Sequence, residues 1–179
     1  MRTAPLTVAA LTAAALLLTA CSGDGDDGGD DGGNGGSAAG TACSVDGMTI
    51  EVGPANAAPA AGDTGNVPVT LTNNGDADCT LEGFPGVELH AEGDSAVLPE
   101  EEGAQPQQLT LAKDTAATFT ITYVRGAADG TGVLDAAKLG IGLPGGSEEQ
   151  SFPWSYGAVP VNGEGVPEAT VSAFQQAGD

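Results

Sequence analysis

The chain has 179 residues, 29 of them Gly and 11 Pro, with 40% apolar and only 4% aromatic residues, which suits a single domain with a modest core. Four Lys and Arg stand against 25 Asp and Glu, a formal net charge of -21. So few cations leave no basic patch to displace counterions from a phosphate backbone, and nucleic-acid binding is excluded.

Residues 1–20 read as a signal peptide. Arg2 precedes a charge-free stretch from Thr3 to Ala20 that carries Leu6, Val8, Leu11, Leu16, Leu17 and Leu18. Its apolar part falls short of the roughly 20 residues a bilayer core requires, and Pro5 interrupts it, which argues against a membrane-spanning helix. The stretch ends in Leu18-Thr19-Ala20-Cys21, which resembles the lipobox of bacterial lipoproteins. That resemblance implies a thiol joined to diacylglycerol at Cys21 and cleavage just before it. Residues 21–42 are therefore expected to be a lipidated Cys followed by a stalk. From Ser22 to Ala42 there are nine Gly and five Asp and no large apolar side chain, so ordering entropy is not offset and the stalk is expected to be disordered. Asp24, Asp26 and Asp30 are spaced somewhat like calcium ligands, but Gly35 stands where an EF-hand needs a bidentate Glu.

Residues 43–179 change to short alternating runs separated by Gly, Pro, Asn and Asp, the period-2 signature of strands. Met48, Ile50 and Val52 form one apolar face, and Val67, Val69 and Leu71 another. Pro68 removes a ladder donor, which predicts an edge or a bulge for the second run. Asn73-Asn74-Gly75-Asp76 is expected to turn through left-handed backbone into Cys79-Thr80-Leu81, and Phe84-Pro85-Gly86 to turn again before Val87, Leu89 and Ala91. Glu92 to Gln108 reads as a polar insertion pinned only by Val97 and Leu98.

Leu109 and Leu111 begin another strand, and Lys113-Asp114 turns into the clearest one, with Ala117, Phe119, Ile121 and Tyr123 alternating against threonines. A helical turn is expected around Asp135 to Lys138. Leu139, Ile141 and Leu143 resume the strand pattern, Pro144-Gly145-Gly146 reverses it toward Phe152 and Trp154, and a last strand runs from Ala169 to Phe174. About seven to nine short strands without βαβ alternation predict an all-β fold, an antiparallel immunoglobulin-like β-sandwich.

The run Gly65-Asn66-Val67-Pro68-Val69-Thr70-Leu71-Thr72-Asn73, followed by Cys79-Thr80-Leu81-Glu82-Gly83-Phe84-Pro85-Gly86-Val87, resembles actinobacterial lipoproteins that carry the domain of unknown function 4232. The resemblance extends over most of Cys43 to about Leu143. It departs at Leu111-Ala112-Lys113-Asp114, where those domains have a Pro-Gly turn. It implies an extracytoplasmic β-domain and brings no catalytic residues.

With Cys21 assigned to lipid, Cys43 and Cys79 remain, and an even pair in an exported chain reads as a disulfide. His90 is the only His; alternation with Val87 and Leu89 points it toward solvent, and a single imidazole serves neither a cupredoxin nor an ordinary zinc site. Gly93-Asp94-Ser95 superficially matches a hydrolase nucleophile block, but no His follows Ser95, and a triad would have to use His90. No phosphate-binding glycine loop occurs. Thus no catalytic residue, metal ligand set or cofactor is predicted. Glu100, Glu101 and Glu102, near Glu92 and Asp94, read as a solvated loop, and Phe152 to Tyr156 as core filling, with Trp154 and Tyr156 stacking a sugar or docking a partner as the alternative.

The function expected is a non-enzymatic binding or interaction domain, anchored through Cys21 to the outer face of the cell membrane. Its partner would be a cell-envelope protein or wall polymer. The alternative is a calcium-dependent module using the acidic loop at residues 92–102, and an enzyme ranks third.

Overall fold

The computed structural model describes residues 40–178 apart from Ala57 and Asp129. The signal peptide, the lipobox, Cys21 and the stalk up to residue 39 lie outside the described residues. Fourteen strands follow in chain order among those described: β1 (Thr41–Ala42), β2 (Met48–Val52), β3 (Thr64–Asn73), β4 (Cys79–Leu81), β5 (Gly86–His90), β6 (Ser95–Val97), β7 (Leu109–Leu111), β8 (Ala116–Val124), β9 (Val133–Leu134), β10 (Lys138–Gly142), β11 (Glu149–Pro153), β12 (Val159–Pro160), β13 (Ala169–Val171) and β14 (Gln175–Gln176). The count exceeds seven to nine because β1, β9, β12 and β14 have two residues each and β6 three, too few to leave an alternating pattern. Among the described residues, paired structure begins at Thr41, two residues ahead of the Cys43 boundary expected for the domain.

One sheet has the order β13-β8-β3-β2, with β14 also on β8; a second has the order β11-β10-β5-β6. Two smaller sheets, β1-β4-β7 and β12-β9, complete the all-β sandwich. The strand pairs are antiparallel except β1 with β4. Alternation works as expected: Val67, Val69 and Leu71 of β3 and Phe119, Ile121 and Tyr123 of β8 are buried against Val87 and Leu89 of β5 and Leu139 and Ile141 of β10 in one core cluster. β-Branched and aromatic residues fit such half-buried strands because their side chains pack across a pleated surface.

Four local expectations are corrected or narrowed. β3 is an inner strand, not an edge, and of the two readings of Pro68 the bulge is the one met: the chain leaving β2 stays in register to Gly53 opposite Pro68 and pairs again at Asn56 with Asn66, with one residue more than β3 in between. Gly53 donates its N–H to the Pro68 carbonyl at 2.8 Å, but Pro68 has no N–H to return. The Gly53 carbonyl is instead met by the Tyr156 hydroxyl at 2.6 Å, so a side chain supplies the missing rung.

The turn after β3 uses no left-handed residue. Asn73 is 2% exposed; its Oδ1 accepts from Gly75 N–H at 2.9 Å, and its Nδ2 donates to the carbonyls of Ala77 at 3.0 Å and Leu111 at 2.9 Å. An Asx turn thus replaces backbone strain and ties the first sheet to β7. The left-handed position falls at Asp114, φ 62°, in the expected turn before β8 and in the segment that departs from the family pattern.

No helical turn forms at Asp135 to Lys138, because Lys138 already opens β10, paired with His90 on one side and Pro153 on the other. The insertion from Glu92 is partly built: β6 pairs with β5, Leu98 is buried, and Glu101 donates its N–H to the Val171 carbonyl at 2.9 Å. Val97, expected to help pin it, is 64% exposed.

Candidate functional site

Tyr156 and Arg125 line an open groove of about 700 Å³ together with Pro54, Pro59 and the buried Tyr123. Three aromatic rings stack edge to face at its base: Tyr123 on Trp154 at 5.2 Å, and Trp154 on Tyr156 at 4.8 Å, centroid to centroid. Trp154 is buried and donates its indole N–H to the Gly157 carbonyl at 2.6 Å. Gly65, opposite Tyr123 across β3 and β8, lets that ring lie against the backbone; a Cβ there would come within 2.6 Å of it. The expectation of core filling therefore holds for Trp154, while Tyr156 is half-buried and forms a groove wall.

Arg125 holds the loop that brings Ala58 and Pro59 to the groove. Its Nη1 donates to the Ala58 carbonyl at 2.8 Å and the Pro59 carbonyl at 3.3 Å, and its backbone carbonyl accepts from Gly62 N–H at 2.7 Å. The loop between β2 and β3 is thereby fixed against the end of β8. Burial raises the pKa of both Tyr123 and Tyr156 above the ordinary tyrosine value; the Arg125 charge partly opposes this at Tyr123. Both phenols are therefore neutral hydrogen-bonding groups at neutral pH, and neither is a ready base. Arg125 and Tyr123 were not legible as site residues, since the one follows a strand into a loop and the other looks like ordinary core.

Cys43 and Cys79 are joined, 36 residues apart, with Cα atoms 4.9 Å from each other. The bridge fastens the segment entering β2 to β4. Around the acidic loop, Glu92 and Asp94 lie in the turn between β5 and β6, whereas Glu100 bridges Val171 after β6. Among the described residues, the group of three metal-ligating side chains that does converge is elsewhere: Glu88, His90 and Glu149. Ser95 is the cross-strand partner of His90, but His90 Nε2 has no hydrogen-bond partner among the described residues. His90 leaves the core as alternation predicts, yet its side chain is only 32% exposed because Glu149 leans over it.

A search of curated proteins found no match. A family model, described as a domain of unknown function (DUF4232), matches residues 43–175, from the first bridged cysteine to the start of β14 and well beyond the Leu143 limit of the sequence resemblance. The chain belongs to the DUF4232 family.

Proposed function

We propose that this protein is a non-enzymatic binding domain, lipid-anchored through Cys21 to the outer face of the cell membrane, which offers the groove between Tyr156 and Arg125 to a cell-envelope protein or wall polymer. The observation that carries this reading is the groove itself. Its titratable lining consists of two neutral phenols and a guanidinium; both hydroxyls and the Arg125 Nη1 are engaged in holding the walls. Such a surface suits recognition better than proton transfer, which needs a group that gains and loses a proton near neutral pH. The Cys43–Cys79 bridge supports an oxidising compartment, and the lipobox and the resemblance to actinobacterial lipoproteins support the same location.

The test uses the sole Trp, whose ring lies 4.8 Å from Tyr156. Crosslinking in intact cells identifies what the protein touches, and Trp154 emission then follows titration with that purified partner. The expected result is a saturable emission change that Tyr156→Ala and Arg125→Ala both weaken, and loss of membrane retention in Cys21→Ala. A captured partner that binds both groove variants as tightly as the unaltered protein overturns the groove assignment; an uncleaved or unmodified Cys21 overturns the anchor. The calcium-dependent reading lacks comparable support, since the carboxylates of residues 92–102 are divided between a hairpin turn and a segment bridged to β13.

A further inference from the structure

We propose that Glu88, His90 and Glu149 form a binding site for a borderline divalent transition-metal ion, Zn²⁺ in the first instance, on the outer face of the sheet β11-β10-β5-β6. Glu88 and His90 are two residues apart on β5 and so project from the same face. Glu149 opens β11, on the far side of β10, where it pairs with Gly142. A side chain must lie across β10 to reach His90 from there, and β10 is shaped to allow it. Gly140, opposite Glu88, also points outward, yet it is buried, and a Cβ on it would come within 2.6 Å of a Glu149 carboxylate oxygen. Gly142, opposite Glu149, likewise lacks a side chain. Two glycines at alternate positions thus open a shallow cradle over which the carboxylate passes.

The donor atoms of the three residues lie within 4.8 Å of one another. His90 Nε2 is inaccessible and without a hydrogen-bond partner, and it stands 3.5 Å from Glu149 Oε1. That separation is too long for a good hydrogen bond but close to the edge of about 3.3 Å between two ligands of a tetrahedral ion with bonds near 2.0 Å. Glu88 offers a carboxylate oxygen within 4.8 Å of both of the other donors. One imidazole with two carboxylates favours Zn²⁺ or Cu²⁺ over Ca²⁺ and Mg²⁺, which take oxygen ligands alone. Remaining coordination positions are open to water or to a donor from a partner. Lys138 and Ser95 are the cross-strand neighbours of His90, and Ser151, opposite Gly140, shares this face; Lys138 is the one cation among them and is exposed. The site is independent of the tyrosine groove, so either assignment can fail without the other.

The experiment is Zn²⁺ titration of the untagged full-length protein at physiological salt, read by equilibrium dialysis and by the NMR resonances of its single imidazole. Ca²⁺ at the same concentrations is the control. The expected result is one Zn²⁺ per chain, a shift of the imidazole signals that saturates with it, and no matching Ca²⁺ response. His90→Ala and Glu149→Gln should each weaken Zn²⁺ binding about tenfold or more, and Gly140→Ala several-fold without removing a ligand. All three variants are checked for unchanged folding by melting in metal-free buffer, and the imidazole shift in the unaltered chain needs no variant. Absence of binding, Zn²⁺ bound no better than Ca²⁺, an unmoved imidazole, or undiminished binding by a folded His90→Ala protein overturns the proposal and leaves only diffuse attraction to an acidic surface.

Discussion

The outer face of the β3–β8 pair carries Asn66, Thr70, Thr72, Thr118, Thr120 and Thr122, whereas the outer face of β5, β10 and β11 carries Glu88, His90, Gly140, Gly142 and Glu149. Their inner faces are alike, built of buried aliphatic and aromatic residues. The threonines suit strands and bond locally: Thr122 donates its hydroxyl hydrogen to Asn66 Oδ1 at 2.9 Å, and Thr120 N–H donates to Ser172 Oγ at 3.0 Å. Glycine weakens a strand by offering no side chain to pack, and like charges on one face add repulsion. The first face therefore serves stability, while the second gives up strand preference for space and converging donors. The same two-residue period serves both, and only the identity of the outward residues separates them.

If stability resides in the shared interior, the largest loss should follow Phe119→Ala. That ring is 2% exposed and meets Phe174 edge-on at 5.9 Å, so truncation should cost about 4 to 5 kcal/mol, read as a lower denaturation midpoint at unchanged slope. A cost no larger than that of an outer-face change would break the comparison.

Replacing Cys43 and Cys79 together by Ala should cost about 4 kcal/mol, because the bridge restrains the unfolded chain over 36 residues. Denaturation with and without reductant checks it. The bridge constrains the β2 side of the first sheet, so amides of β2 and β4 should lose more hydrogen-exchange protection than those of β10 and β11.

Tyr156→Phe should cost about 1 to 2 kcal/mol by leaving the Gly53 carbonyl without its donor. The sign of the alkaline response follows from the raised pKa of Tyr123 and Tyr156: folding favours the neutral phenols, so their contribution is intact below the ordinary value near 10 and is lost as pH rises through the higher folded values. Trp154 fluorescence should show that end of the sandwich loosening above about pH 10.

On the second sheet, Gly140→Ala should change stability by no more than about 0.5 kcal/mol, since its backbone is outside the left-handed region and the displaced group is the far end of a flexible Glu149. Thr118→Ala on the first sheet should cost a similar or smaller amount, within about 0.5 kcal/mol, in the same denaturation assay. A loss of several kcal/mol at Gly140 would mean that β10 tolerates no side chain there for structural reasons alone.

Residue order by itself determined which side of each long strand faces the core, because side chains alternate strictly along an extended backbone; Val67 to Leu71 and Ala117 to Tyr123 were legible for that reason. It also pointed to the cysteine pair, since two Cys remain once Cys21 is set aside, and the structure joins them. Alternation does not say which strands are neighbours, and everything decided by neighbours waited for the tertiary structure. Pro68 argued for an edge or a bulge; only the tertiary structure chose the bulge, with a hydroxyl from residue 156 supplying the missing rung and β3 lying inside the sheet. Glu149 looked like one carboxylate among many until β10 was set between it and His90, with Gly140 low enough to pass over. Arg125 reaches carbonyls of a loop more than sixty residues earlier. A period of two residues is a local consequence of backbone geometry, whereas strand order depends on contacts between distant segments, which no local pattern encodes.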